Sequence, residues 1–172
     1  MSTAIVTAIM MGLLLTSVAV LGQRSFTALR LITDAWSDME DRGRAMVRTD
    51  ISTVSTSYSP PTLDVTVLNA GQEPLRDFAK WDVVVQYYEV DGTYHSIWLP
   101  FTTASPVGDN QWRVVGLYLD AATSKAESSQ PNILDPGEEL VIRIGLTPAA
   151  DAAANNVAVI GTPNATTLST PF

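Results

Sequence analysis

Residues 81–99 read WDVVVQYYEVDGTYHSIWL, and this stretch decides the fold of the C-terminal part of the chain. Val83, Val85 and Tyr87 recur at every second position, which is the side-chain period of a β-strand. Asp91-Gly92 is a strong signal for a tight hairpin turn. The residues that follow, YHSIWLPF at 94–101, return as a second strand. The stretch therefore predicts an antiparallel β-hairpin.

Strand-like segments continue on both sides of this hairpin. They are short, they are rich in β-branched residues, and turn residues such as Asn69-Ala70-Gly71 and Asp135-Pro136-Gly137 separate them. The further segments are 51–58, 63–68, 112–119, 140–146, 156–160 and 166–169. This pattern predicts an antiparallel β-sandwich of Greek-key type. Strands do not alternate with helices in the pattern, which argues against a nucleotide-binding α/β fold.

The N-terminal region has the opposite character. Residues 1–23 carry no charged side chain, and residues 4–21 are apolar except for two threonines, one glycine and one serine. As a helix these residues would measure about 27 Å, close to the roughly 30 Å of a bilayer interior. Three interpretations remain open: a cleaved signal peptide, a membrane anchor, and a membrane-resident segment that later packs against copies of itself.

The next stretch predicts an amphipathic helix that continues the apolar one. Phe26, Leu29, Trp36 and Met39 recur at intervals of three or four residues or multiples of these, which places them on one face. No proline interrupts the region, so one helix of about 65 Å is expected from about residue 3 to about residue 47. We therefore predict an α+β fold of lollipop shape. A long N-terminal α-helix (1–49) comprises an apolar segment (1–22) and an amphipathic stem (23–49), and an antiparallel β-sandwich head (50–172) follows.

Composition excludes several functions. The chain has ten Lys+Arg and eighteen Asp+Glu, a net charge of −8, and no cysteine. An acidic chain is unsuited to nucleic acid, and the absence of cysteine excludes thiolate metal sites and a cysteine nucleophile. His95 is the single histidine, and no nucleotide-binding or hydrolase motif accompanies it, so a packed or solvated imidazole is favoured. We predict no enzyme activity, no cofactor and no metal.

Two further features have a structural and a functional interpretation. Trp36, Trp81, Trp98 and Trp112 could form a carbohydrate platform, but packing within the head and along the stem is favoured. The sequence Asn164-Ala165-Thr166 is an N-glycosylation sequon. It predicts a glycan on Asn164 if the head lies outside the cytoplasm.

The order of these segments resembles the type IV pilin superfamily. The matching stretches are AIVTAIMMGLLLTSVAVLGQ (4–23), LDVTVLNAGQEPLRDFAKWDVVVQYY (63–88), LDPGEELVIRIGL (134–146) and TPNATTL (162–168). The head is similar to that of archaellins, the archaeal flagellins, and their pilin relatives. Ile5 stands where bacterial type IV pilins carry glutamate, and the sequence shows no basic leader before Met1. Two explanations remain open: Met1 follows the cut in the mature chain, or there never was a leader.

The resemblance implies a structural subunit of an extracellular helical filament, archaellum-type or type IV pilus-like, for motility or adhesion. Such a subunit is inserted in the membrane before assembly and then forms a homopolymer of many copies. Filament-core packing is expected from Ile5, Ile9, Leu13, Val18 and Leu21, and packing of stem on head from Phe26, Leu29, Trp36 and Met39.

Two alternatives remain. One is a membrane-anchored β-sandwich accessory protein of an archaellum or pilus machine, stator-like, that does not polymerise. The other is a secreted binding module or enzyme behind a signal peptide.

Overall fold

The computed structural model describes residues 2–172, apart from the side chains at positions 2, 4, 8, 19, 21, 22, 25, 27 and 28. The chain forms two compact units, one ending at Arg44 and the other spanning Ala45–Phe172. One helix, α1, spans Ser2–Arg48. Within the described part of the chain, no helix combines the length and the apolar character needed to cross a membrane.

The second unit is a sandwich of two antiparallel sheets. The first sheet has the strand order β1-β2-β7-β5-β6, and the second has the order β4-β3-β8-β9. A 3₁₀ turn at Phe78–Lys80 precedes β3. The strands are β1 (Ile51–Ser59), β2 (Thr62–Asn69), β3 (Asp82–Tyr88), β4 (Tyr94–Leu99), β5 (Gln111–Asp120), β6 (Lys125–Ala126), β7 (Glu139–Gly145), β8 (Val157–Gly161) and β9 (Thr167–Pro171).

The hydrophobic core lies between the two sheets. Alternate residues of each strand point inward, so Val83, Val85 and Tyr87 of β3 are fully buried while their neighbours on the strand are not. Facing side chains from β2 and β7 are equally buried, Leu63 and Ile142 among them. Burial of this apolar surface is the main force that holds the two sheets together.

Two turns at one end of the first sheet are joined through Asn69. This side chain is completely buried, and its Nδ2 donates to the main-chain oxygens of Glu73 and Leu134, each at 2.9 Å. Its Oδ1 accepts from the Gly71 N–H at 3.1 Å. A Cβ at Gly71 would lie 2.5 Å from the main-chain oxygen of Arg48, so only glycine fits there.

The structure corrects the predicted fold class. The fold is mainly β, a two-sheet sandwich, and the predicted α+β class is wrong. Among the side chains that the structure describes, those of the hydrophobic core run from Ile51 to Ile160. Periodicity predicted an apolar stripe on a helix, but it carries no information about what covers that stripe. The core is instead supplied by the inner faces of the two sheets.

Candidate interaction surface on the second sheet

The hairpin of β3 and β4 forms one end of the second sheet. Its strands pair from Val83 opposite Leu99 to Tyr88 opposite Tyr94. The turn closes with the Glu89 N–H donating to the Thr93 oxygen and the Gly92 N–H donating to the Glu89 oxygen, both at 2.9 Å. Gly92 has a φ of +85°, a conformation that favours glycine. The hairpin turn predicted at Asp91-Gly92 is therefore confirmed.

The hydrogen-bond alternation of an antiparallel pair fixes which main-chain groups of β4 are free. Because Glu89 and Thr93 form a hydrogen-bonded pair, every second residue of β4 from there points its N–H and C=O toward β3. The residues between them, Tyr94, Ser96 and Trp98, point theirs toward the outer edge. In the part of the chain that the structure describes, no element pairs with this side of β4.

Aromatic side chains line the outer face of this hairpin. Trp98 is 59% exposed, Tyr94 51% and Tyr88 41%, whereas Val84 beside Trp98 is half-buried. The rings of Tyr88 and Tyr94 lie 5.1 Å apart, centroid to centroid. Trp98 is held in place because its indole N–H donates to Asp82 Oδ1 at 3.0 Å. The hairpin thus presents an ordered aromatic surface next to an unpaired strand edge, and we call Tyr88, Tyr94, Ser96 and Trp98 the β4 surface.

Carboxylates lie near both ends of the β4 surface, with Asp82 beside Trp98 and Asp91 in the turn that precedes Tyr94. Residues 82–99 contain Asp82, Glu89 and Asp91 but no lysine or arginine. Hydrogen bonds from Thr93 lower the pKa of the Asp91 carboxyl, so this group is ionised at neutral pH. The surface therefore combines aromatic contact area with negative charge.

His95 lies on the same strand, but its side chain packs within the hairpin. Its Nε2 contacts the Glu89 carboxylate, and its ring stacks on Tyr87 with 4.9 Å between centroids. Both the His95 and the Glu89 side chains are about one quarter exposed. The imidazole bridges the two strands across the inner face of the hairpin.

Two grooves occur elsewhere on the sandwich. One, of about 400 Å³, lies beside β5 and is lined in part by Phe101, Arg113 and Glu127. Arg113 Nε and Glu127 Oε2 find no hydrogen-bond partner there, and both atoms are shielded from solvent. The other groove, of about 270 Å³, includes Trp81 and Asn164 among its lining residues.

The predicted glycosylation residue, Asn164, is half-buried. Its Nδ2 donates to Thr49 Oγ1 at 2.9 Å, and Thr166 of the same sequon donates from Oγ1 to the Thr49 oxygen at 3.3 Å. Glycosylation of Asn164 stays a prediction.

The predicted packing residues of α1 are exposed where their side chains are described. This holds for Ile5, Ile9, Leu13 and Val18, while the side chain of Leu21 lies outside the described residues. The four expected stem residues, Phe26, Leu29, Trp36 and Met39, are exposed as well. Burial of these residues stays a prediction.

Sequence reasoning missed the β4 surface. Packing in the core was expected for the tryptophans, and it is found for Trp81 and Trp112, but it is wrong for Trp98. The period of two along β4 was the available signal, because it places Trp98 with Tyr94 and Ser96 on one face and Leu99 on the other. Which face is solvated depends on where the first sheet packs.

Comparison with known proteins gives matches in structure alone. No protein-family model matches the chain, and no curated protein does. The chain is similar to the archaellum periplasmic stator protein FlaG from Sulfolobus acidocaldarius, with 20% identity and a TM-score of 0.50 over 72% of this chain and 99% of that one. It is also similar to a chain of the periplasmic stator complex of FlaF and FlaG from the same organism. That match has 19% identity and a TM-score of 0.50 over 71% and 87% of the two chains.

These likenesses establish the sandwich fold and correct one prediction. The similar structures are archaellum-related β-sandwich proteins, so the resemblance to archaellar components holds at that level. The predicted partnership, a homopolymer of many identical copies, is wrong. The second similar structure is a complex of two different stator proteins rather than a filament of one.

Proposed function

We propose that this chain is an accessory protein of an archaellum-type machine, located in the cell envelope, that does not polymerise and that binds a second, different protein through its sandwich. The likeness to FlaG carries the proposal, because it spans 99% of that chain, so the whole of that protein has its counterpart here. FlaG occurs as a stator protein in a complex with FlaF. A stator-like role is the alternative that the sequence left open.

The charge of the sandwich supports a partner of a different kind. Residues 51–172 contain five basic and thirteen acidic residues, so this region alone carries the net charge of −8. Identical heads of this charge repel one another, whereas a partner with a basic surface is attracted. Acidic residues around the β4 surface place part of this charge next to exposed aromatic side chains, which are typical of protein interfaces.

The proposal is tested in the cells that encode the chain. We expect deletion of its gene to abolish swimming, because a motor without its accessory protein transmits no torque, while electron microscopy still shows surface filaments. Quantitative mass spectrometry of sheared filaments and of the remaining cell envelopes locates the protein in the wild-type strain. The chain should be found with the envelopes, together with a second β-sandwich protein that co-purifies after cross-linking.

The opposite distribution overturns the proposal. A major band of this chain in the sheared fraction, with loss of filaments on deletion, identifies a filament subunit instead. Unimpaired swimming after deletion contradicts a role in the motor.

A further inference from the structure

We infer that the outer edge of β4 docks an extended strand of a different protein, and that this strand carries lysine or arginine at its ends. The inference rests on the proposed function insofar as it assumes a protein partner. It goes beyond that function because it names the strand edge that binds, the main-chain groups that form the hydrogen bonds, and the charge of the strand that docks there.

The main-chain groups of β4 specify a strand as the occupant. Tyr94, Ser96 and Trp98 together offer three N–H donors and three C=O acceptors toward the outer edge, spaced as in an antiparallel or parallel ladder. Adding a strand to such an edge satisfies these groups with main-chain hydrogen bonds, and alternate side chains provide specificity. A helix or a small molecule cannot pair with the whole row.

The other sheet edges of the sandwich are protected, whereas β4 is not. Edge strands are normally protected by a bulge, a short length, a lysine or a proline. β1 has a bulge between Thr53 and Ser55. β6 has only two residues, one of them Lys125, and β9 ends in Pro171. β4 has six residues in regular register and none of these protections.

The side chains of β4 leave room for a strand beside them. Ser96 is small and exposed, and it lies between the exposed rings of Tyr94 and Trp98. A strand along the edge would place one side chain next to each ring, which gives cross-strand contacts of the aromatic–aliphatic type. Because Asp82 already holds the indole, the Trp98 ring loses little freedom on binding.

Charge distinguishes the occupant from a second copy of this chain. An antiparallel pair of two β4 strands centred on Ser96 brings Asp91 at the turn of one copy toward Asp82 of the other. No lysine or arginine within residues 82–99 offsets this repulsion. A strand with basic ends places opposite charges at the same positions, which favours a different protein.

Binding is tested with the full chain and a synthetic probe. The chain is isotope-labelled and kept in non-ionic detergent, because α1 exposes apolar side chains. The probe is the peptide KKVTVTVKK. We expect it to slow hydrogen exchange at the main-chain amides of Tyr94, Ser96 and Trp98. We also expect it to bind about tenfold more tightly than EEVTVTVEE, and binding should vanish when its valines are N-methylated. Equal binding of the basic and acidic peptides, or protection elsewhere only, overturns the inference.

Variants at Ser96 test docking at the β4 edge without changing the hydrogen bonds between β4 and β3. The Ser96 N–H points outward, so Ser96→Pro removes a docking donor without removing a bond to β3, and Ser96→Thr is the matched control. Proline should abolish peptide binding, and threonine should leave it within about twofold. Should Ser96→Pro disturb the exchange protection of Val83 and Val85, the pair Ser96→Lys and Ser96→Glu replaces it. Lysine should then weaken binding of KKVTVTVKK and glutamate should strengthen it.

The outcomes distinguish this inference from the proposed function. If amides 94, 96 and 98 stay unprotected while deletion abolishes swimming with filaments intact, the docking edge is wrong and the stator-like role stands. If sheared filaments contain the chain, the proposed function fails whatever the peptide does. A concentration-dependent dimer of the chain alone that protects the same three amides overturns the assignment of a different protein as the occupant.

Discussion

The turn network around Asn69 and the β4 surface differ in whether their hydrogen-bonding groups have partners within the fold. At Asn69 every side-chain donor and acceptor has a partner within the fold, and the residue is fully buried. Along β4, main-chain groups of equal strength face outward, and no described element pairs with them. The first region therefore stabilises the sandwich, whereas the second leaves hydrogen-bonding capacity for another molecule. Substitutions that alter each region separately test this difference.

The largest effect is expected from Asn69→Ala. It removes the side-chain partner of the Glu73 and Leu134 main-chain oxygens and of the Gly71 N–H, which costs about 3 kcal/mol of unfolding free energy. Urea unfolding followed by tryptophan fluorescence measures the loss. Asn155→Ala, at an exposed position, is the control and should change stability little. A loss no larger than that of the control contradicts the role given to Asn69.

A somewhat smaller effect is expected from Gly71→Ala. The new methyl group would lie 2.5 Å from both the Arg48 oxygen and the Asp50 nitrogen, so the turn has to shift at a cost of about 2 kcal/mol. Gly43→Ala is the matched control, because no atom lies within 4 Å of a Cβ there. Thermal unfolding monitored by circular dichroism in the β-sheet region compares the two. Equal midpoints show that the close approach is not important.

Glu138 makes the turn network sensitive to pH. Desolvation by burial raises the pKa of this carboxyl, although a hydrogen bond from the Asp135 N–H acts the other way. Because the folded pKa lies above the unfolded one, the carboxyl favours folding at low pH, and this contribution is lost as the pH rises through the folded pKa. We therefore expect Glu138→Gln to gain stability relative to the parent chain as the pH rises from 4 to 7. Parallel stability curves for the two proteins across that range contradict the assignment.

The smallest effect on stability is expected from Trp98→Gln. The side chain is 59% exposed and forms a single hydrogen bond to Asp82, so its replacement should change the unfolding free energy by about 0.5 kcal/mol or less. Binding of the strand peptide should fall by about tenfold, because an aromatic contact is lost. Isothermal titration calorimetry beside urea unfolding measures both quantities. A large loss of stability assigns Trp98 to the fold instead of the surface.

Part of the sandwich was predictable because its signals are local. The Asp91-Gly92 turn and the alternation at Val83, Val85 and Tyr87 gave the β3–β4 hairpin, since both depend on residues close in sequence. The pairing of β2 with β7 was not predictable in this way. It joins Leu63 to Ile144 across about eighty intervening positions, and many strand orders satisfy the same alternation.

The candidate site was beyond prediction for the same reason. Alternation separates Trp98 from Leu99, but it does not say which of them faces the first sheet. The short strand β6 is formed because Lys125 and Ala126 pair with Asp120 and Tyr118 of β5 across a short turn, a pairing that the polar residues of this stretch did not indicate. In addition, the net charge of −8 did not show that the Asp82 carboxylate lies beside the exposed ring of Trp98.

By itself, the sequence determined the strand segments, the glycine turns, the apolar and amphipathic character of the first 48 residues, and the acidic charge of the rest. These properties follow from backbone conformation and side-chain periodicity, which neighbouring residues decide. It took the tertiary structure to show the strand order of the two sheets, the unprotected edge at β4, and the exposure of Trp98 beside the burial of Trp112. Those properties depend on which distant surfaces exclude water from each other, and this is settled by packing of the whole chain.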